Sequence, residues 1–417
     1  MYDRFKGRVY SVGDGFCYEG IIKENTSNSY HFVIDCGSQA PKNRKQKVGE
    51  LSSTTECNSR LKEITDEIVS NGDHIDLFIL THLHVDHYNG IKMLFQSGIP
   101  DMIIMPYLYP EERLCLIINN NMDDDDSLFL ADPYTTVLNL AKESNPDAKL
   151  ILFRGNVDNV DDDDLDDRQT DDSIVWGVPY EDSEYILEVE DIRLSDAEVV
   201  SVTQRNIEIF DGIWVFKFFN LEIDKADIDV LKKIVGKLTA KSLYNNIAKL
   251  KKQYKKIAKN LFNDFNNTSI VTYHAPFHNY SRCGTLITGD IDLNHNIVDS
   301  ILDYFNNEMD KIGLFSIPHH GSKANWNKKL IDSGVLKSSI CFASTHNYYS
   351  NRMMPDMMSD LRCQNICALV VDENRFSEIE QIIDNSYSPY ILNKSHKNYK
   401  IEALLGKEPV RMIIIRP

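Results

Sequence analysis

Within six residues, His82-Leu83-His84-Val85-Asp86-His87, the chain carries three imidazoles and a carboxylate, directly after the apolar run Ile75 to Leu80. Imidazole nitrogen and carboxylate oxygen are the donors that hold zinc in proteins. On an extended segment alternate side chains point the same way, so His82 and His84 can reach one ion, while Asp86 and His87, beyond the turn, can serve a second ion close by. A pair of histidines alone is more often a surface or packing feature. Four ligand-type side chains in six positions after a strand point to a metal site.

Further ligand types stand where other strands end. Asp35 ends Val33-Ile34-Asp35-Cys36-Gly37, Asp290 ends Leu286-Ile287-Thr288-Gly289-Asp290, and Pro318-His319-His320-Gly321-Ser322 follows the apolar run Leu314 to Ile317. Neighbouring side chains diverge, so the histidine pair supplies one ligand to a given ion: His320 is favoured, with His319 as a substrate contact or proton donor. Ser322 reads equally well as a helix cap. His346, after the strand Ile340 to Ser344, is either a loop histidine or a phosphate contact and proton relay. No histidine occurs from Tyr88 through Tyr273, which leaves Asn267 and His274 as candidate further donors for the first ion, or as packing and surface residues.

The elements that must position these groups follow from periodicity. Arg8 to Val12, Phe16 to Ile22 and His31 to Ile34 alternate around a Gly13-Asp14-Gly15 turn and a polar turn, as hairpin strands do. Leu61, Ile64, Ile68 and Val69 recur at helical spacing, and a strand Ile75 to Thr81 delivers the histidine cluster into a loop before a helix from Tyr88 to Phe95. Strands follow at 101–105, 269–274, 284–288, 314–317, 340–344 and 368–371, with a helix near 297–305. Strands that each end in a ligand type imply a layered α/β protein with its site along one rim of the sheets.

Two segments break the pattern. Residues 110–205 show weak periodicity and two acidic runs, Asp123 to Asp126 and Asp161 to Asp164 followed by Asp166 and Asp167, which read as solvated or disordered loops, because adjacent carboxylates repel and lack the alternation of a calcium loop. Val230 to Asn263 has ten lysines and no acid, with Leu243, Ile247, Leu250, Tyr254, Ile257 and Leu261 at helical spacing. This is an amphipathic helix with a basic outer face, preceded by a shorter one. The face is either a solvated surface, or a phosphate-backbone contact through Lys249, Lys252 and Lys256.

Composition sets outer bounds. A formal charge of -18 argues against a surface that grips nucleic acid all over, so any polyanion contact has to be local. Eight cysteines without repeating spacing read as reduced thiols of a cytoplasmic protein. Neither an export signal nor a run of about 18 apolar residues is visible, so no membrane span is expected.

The HxHxDH cluster after Thr81, with Asp35, Asp290 and the late histidine, resembles the metallo-β-lactamase-like hydrolases. Val12-Gly13-Asp14-Gly15, Thr81 to Gly90, Thr288-Gly289-Asp290 and Pro318 to Ser322 are similar to the hydrolase domain of the bacterial DNA-uptake channel ComEC and its stand-alone relatives. The resemblance implies a four-layer αββα sandwich, a single catalytic domain over residues 1–417 with an acidic insertion or lid at 110–205 and a lysine-rich helical insertion at 225–263. It implies two zinc ions, or manganese in their place, held by His82, His84, Asp86, His87, Asp290 and His320, with Asp35 orienting the histidine loop. It also implies hydrolysis of a phosphodiester, nucleic acid foremost, by a metal-activated hydroxide, with Asp86, Asp290, His319 and His346 as catalytic candidates. A protein partner and a role in bacterial antiviral defence fit the same outline. The alternatives are a hydrolase of a small phosphodiester, cyclic nucleotide or lactone, and a metal-binding regulatory protein with a degenerate site.

Overall fold

The structure, a computed structural model, describes residues 4–24, 28–39, 54–155, 182–193, 195–201, 206–210, 212–221, 225–258, 265–277, 282–294, 296–337, 339–345, 355–364, 366–373, 377–384, 400–403 and 410–415. Seven strands come first: β1 (Arg4–Val9), β2 (Cys17–Lys23), β3 (Ser29–Cys36), β4 (His74–Ile79), β5 (Ile99–Pro106), β6 (Lys149–Arg154) and β7 (Ala197–Ser201). The next seven form a second sheet: β8 (Asn206–Ile209), β9 (Trp214–Phe219), β10 (Val271–Pro276), β11 (Gly284–Ile287), β12 (Ile312–Ser316), β13 (Ile340–Ser344) and β14 (Cys367–Val371). The chain then returns to the first sheet with β15 (Ile379–Asp384), β16 (Lys400–Ala403) and β17 (Val410–Ile415), giving the order β16-β17-β15-β1-β2-β3-β4-β5-β6-β7 among the described residues.

Both sheets share one plan. β1, β2 and β3 are antiparallel, and β3 through β7 run parallel. In the second sheet β8 through β11 are antiparallel, and β11 through β14 run parallel. Parallel strands bury both faces, which explains their nearly unbroken apolar runs. In β6, Leu150 and Leu152 face the helices while Ile151 and Phe153 face the second sheet.

Helices cover both outer faces. Over the first sheet lie α1 (Thr54–Asn71), α2 (Val85–Tyr88), α3 (Ile91–Ser97), α4 (Pro110–Asn119), α5 (Asp124–Ala131), α6 (Pro133–Ser144), α7 (Ser183–Glu190), α8 (Lys225–Val235) and α9 (Ala240–Ala258). Over the second lie α10 (Ile297–Tyr304), α11 (Lys329–Asp332) and α12 (Pro355–Cys363). Three apolar clusters, helix on sheet, sheet on sheet and sheet on helix, make the four layers of an αββα sandwich. No helix among the described residues is long and apolar enough to cross a membrane.

Several elements differ from the sequence expectation for physical reasons. The first strand covers Arg4–Val9 rather than 8–12, because it pairs on both sides, with β2 and β15. The helix expected from Tyr88 to Phe95 breaks at Asn89-Gly90, where the Gly90 N–H donates to the Cys36 carbonyl (2.8 Å) and leaves no room for a side chain against Cys36. Within 110–205, the described residues are integral to the sandwich: β6 and β7 extend the first sheet and α4 to α7 pack against it. The run Asp123 to Asp126 starts α5 instead of forming a loop. The Asp123 carboxylate accepts from the Asp126 N–H (2.9 Å), and negative charge suits a helix N-terminus. The second acidic run lies outside the described residues. In the lysine-rich segment α8 and α9 form as the periodicity predicts, and Leu243, Ile247, Leu250 and Tyr254 of α9 pack inward.

Between the sheets, His274 is fully buried in a cage of Phe5, Tyr18, Phe32, Trp214 and Phe216, with ring centroids 5.0 to 5.9 Å away. Burial among rings pushes its pKa down to about 3, so the imidazole is neutral. Because the folded value lies below the unfolded one, the stability tied to this neutrality is present above pH about 6.5 and is lost as pH falls toward 3, at roughly 1.4 kcal/mol per pH unit. A His274→Phe variant is expected to lose about 2 kcal/mol less than the parent between pH 6.5 and 5 in urea unfolding. Equal slopes would show that His274 does not set the acid sensitivity.

Candidate metal centre

The ligand-type residues gather at one rim because parallel strands from both sheets end there. Asp35 lies at the end of β3, the histidine loop follows β4, Asp290 follows β11, and His319-His320 follows β12. Open α/β sheets present loops and ligands at the carboxyl ends of their strands.

A relay of hydrogen bonds sets the histidine tautomers. Asp35 Oδ1 accepts from the Thr81 N–H, and Asp35 Oδ2 accepts from both Thr81 Oγ1 and His87 Nδ1, each at 2.7 Å. With its proton committed to Asp35, Thr81 Oγ1 accepts from His82 Nδ1 (3.0 Å). His320 Nδ1 donates to the Ser344 carbonyl (2.9 Å). In all three rings Nδ1 carries a proton, so Nε2 is the atom left to bind a metal, and none of the three buried Nε2 atoms makes a hydrogen bond. Such outer partners fix tautomer and ring orientation in metal-binding histidines.

Those three Nε2 atoms converge on Asp290. His82 Nε2 is 3.5 Å from Asp290 Oδ2, His87 Nε2 is 3.5 Å from Oδ1, and His320 Nε2 is 3.8 Å from Oδ2 and 3.2 Å from Asp86 Oδ2. Two overlapping donor groups result: His82, His87 and Asp290, and Asp86, His87 and His320. Burial alone would depress His320, yet Asp290 and Asp86 carry it up to about 9. Burial would likewise depress His87, which Asp35 and Asp290 raise well above its ordinary value. His82 is lowered by burial and by the neighbouring His87. Asp290, which burial would raise, is held well below the usual carboxylate range by His320, His82 and His87. Carboxylates that draw protons onto imidazole nitrogens mark a centre short of positive charge, and a divalent cation fits this donor set.

Backbone geometry is strained at the same place. Asp35 (φ 55°), His319 (φ 50°) and His320 (φ 53°) adopt the left-handed conformation, at a cost of roughly 1–3 kcal/mol each. Gly37 has no room for a side chain, since a Cβ there would overlap the carbonyl of Asp86 and the amide of His87. Phe16, which donates its N–H to the Asp86 carbonyl (3.2 Å), also lines a small cavity behind His87, Asp290 and His320.

Not every expected residue joins the cluster. His84 packs edge-on against His82, with centroids 4.8 Å apart, but stands outside both donor groups, its Nε2 3.4 Å from Asn120 Nδ2. Burial lowers its pKa to about 3. His319 is partly exposed at the mouth, its Nε2 4.0 Å from Asp290 Oδ2. Asn267 is not free as a donor toward the site, because its Oδ1 accepts from the Asp292 N–H (3.1 Å) and braces the loop that carries Asp290. His274 lies in the aromatic cage between the sheets, which corrects its candidacy as a ligand. His346 and the side chain of Lys256 lie outside the described residues, while Lys249 and Lys252 are exposed on α9.

Sequence reasoning missed Asn266, Gly37 and Ser344. Asn266 Nδ2 donates to His319 Nδ1 (3.1 Å), which leaves the His319 proton on Nε2, facing the site. Ser344 acts through its carbonyl, for which no side-chain signal exists. Gly37 was legible only as a turn residue.

No protein family and no curated protein matches the chain. Among solved structures it is similar to MEM-A1, a subclass B3 metallo-beta-lactamase isolated from a soil metagenome library, at 8% identity over 78% of this chain and 84% of that one, with a TM-score of 0.25. So loose a superposition says nothing about the site. The architecture itself, with two packed sheets between helical layers, is the four-layer αββα sandwich that the sequence led us to expect.

Two substitutions probe the relay. Asp35→Asn keeps the shape but removes the charge that His87 and Thr81 bond, and is expected to weaken zinc or manganese binding by about 10- to 100-fold in titration calorimetry. Gly37→Ala is expected to displace the Asp86–His87 backbone and lower bound metal per chain. Parent-like metal content in both variants would show that the relay does not organise the centre.

Proposed function

We propose that the chain is a metal-dependent hydrolase whose substrate is a phosphodiester, with nucleic acid as the substrate class. The observation that carries this reading is the convergence of three buried, unpartnered imidazole Nε2 atoms on the two oxygens of Asp290. His82, His87, His320, Asp86 and Asp290 are the residues that would hold the ions, with His84 at the outer edge of the first position. Bound there, divalent metal supplies an activated water and charge stabilisation at a phosphoryl group.

The chain's own residues account for the rest. Asp290, held ionised and approached by imidazoles at both oxygens, would offer those oxygens to divalent metal. The Asp35 relay keeps His82 and His87 from rotating, so the donor set is organised before substrate arrives. His319 holds a proton on Nε2 at the mouth of the site, where the oxygen leaving a cleaved diester needs one. Support for a polyanionic substrate comes from α9: Lys251 donates to the Met122 carbonyl (2.7 Å) and Ser127 Oγ (3.0 Å), and Asn120, at the end of α4, adjoins His84. The lysine helix is therefore joined to the centre through one short segment, 120–127.

Hydrolysis of bis-p-nitrophenyl phosphate by purified protein is expected to require added zinc or manganese and to stop with a chelator. Asp86→Ala and His320→Ala are expected to lower it on the order of a hundredfold or more, together with metal content. A paired Asp86→Ala, His87→Ala variant unchanged in both readouts would remove the hydrolase reading.

A further inference from the structure

We infer that the exposed face of α9 is a track for single-stranded nucleic acid, with Tyr244 as a base-stacking platform between phosphate-binding lysines. The inference rests on the phosphodiester reading above and names the form of the strand. Successive turns bring Lys241, Tyr244, Ala248, Lys252 and Lys255 onto one side of the helix, and all five are exposed. The opposite side carries Leu243, Ile247, Leu250 and Tyr254 against the core. Lys241 to Lys255 spans roughly 21 Å at the rise of an α-helix, long enough for a few nucleotides.

Tyr244 is the telling residue. It is one of the few large apolar side chains left exposed among the described residues, at 46%. Nearby aromatics of the helical layer are already engaged: Lys232 sits 4.2 Å above the ring of Tyr109, and Lys237 sits 4.4 Å above that of Tyr185. Among the described residues no such contact covers Tyr244, and its outward face stands between cations. Stacking platforms interleaved with lysine are what sequence-tolerant binding of single strands uses, since unpaired bases expose a π-face that a duplex hides. Charge argues the same way. The chain as a whole is at -18, yet residues 230–263 contain lysine and no acid, so a polyanion is held here and repelled elsewhere. Asp124 and Asp125, exposed at the head of α5 beside Lys251, would confine the backbone to the lysine face.

The test separates binding from chemistry. Full-length protein, kept metal-free with chelator, is titrated against fluorescein-labelled 20-nucleotide DNA and RNA single strands and against a DNA duplex, with anisotropy as readout, while turnover of bis-p-nitrophenyl phosphate is measured separately with metal. Tyr244→Ala is expected to weaken single-strand binding by roughly fivefold or more and to leave the duplex unaffected. Lys241→Gln, Lys252→Gln and Lys255→Gln together are expected to reduce the slope of log affinity against log salt by about 2. Both variants are expected to turn over the small diester like the parent. Single-strand affinity unchanged in both variants, or a duplex bound as tightly as the single strand and indifferent to Tyr244, would overturn the track. Loss of small-diester turnover in the parent would instead defeat the hydrolase reading and leave the binding result standing.

Discussion

The candidate centre depends on one buried carboxylate. Asp35 accepts from a backbone N–H, a hydroxyl and an imidazole, and through Thr81 it also decides which nitrogen of His82 faces inward. Three separate pieces of chain, the end of β3, the start of the histidine loop and the turn into α2, are locked by this group. Its own left-handed backbone is part of the arrangement, because the strand must turn sharply there for both oxygens to face the loop. The absence of side chains at Gly37 and Gly90 then lets that loop lie directly on β3.

Around this anchor, the architecture solves a problem of convergence. Each sheet begins with antiparallel strands and continues in parallel ones, and stacking the sheets brings two sets of parallel strand ends to one rim. Donors more than 200 residues apart in sequence, such as His87 and Asp290, meet because two independent turns share that rim. The cavity behind them is lined by Phe16, just before β2, and by Phe342 of β13, so the apolar layer between the sheets continues up to the donors.

Much of this was legible in the sequence because ligand chemistry and period-two alternation are local. The strand before His82, the strand ends at Asp35 and Asp290, and the amphipathic character of α9 all follow from spacing. What could not be read was tertiary in origin. His84 has the spacing of a ligand, but the turn into α2 leaves it beside Asn120 rather than over Asp290. His274 looks like a donor in sequence, and only the packing of two sheets shows that five aromatic rings enclose it. The strands β6 and β7 were hidden because acidic neighbours dilute the pattern, although Lys149–Arg154 is itself strongly apolar.

Two consecutive left-handed residues at His319 and His320, followed by Gly321 in the same region (φ 78°), restrict what can replace them. Asparagine, aspartate and glycine enter that conformation at low cost, whereas β-branched residues do not. The turn therefore filters change by backbone before chemistry is tested. Drift at these two positions would run first through residues that keep the turn and lose an imidazole, leaving a folded chain with a weakened centre. Replacement by valine or isoleucine would instead disturb the loop itself. In such a lineage, loss of function and loss of fold would be separate events, reached through different residue types at the same two sites.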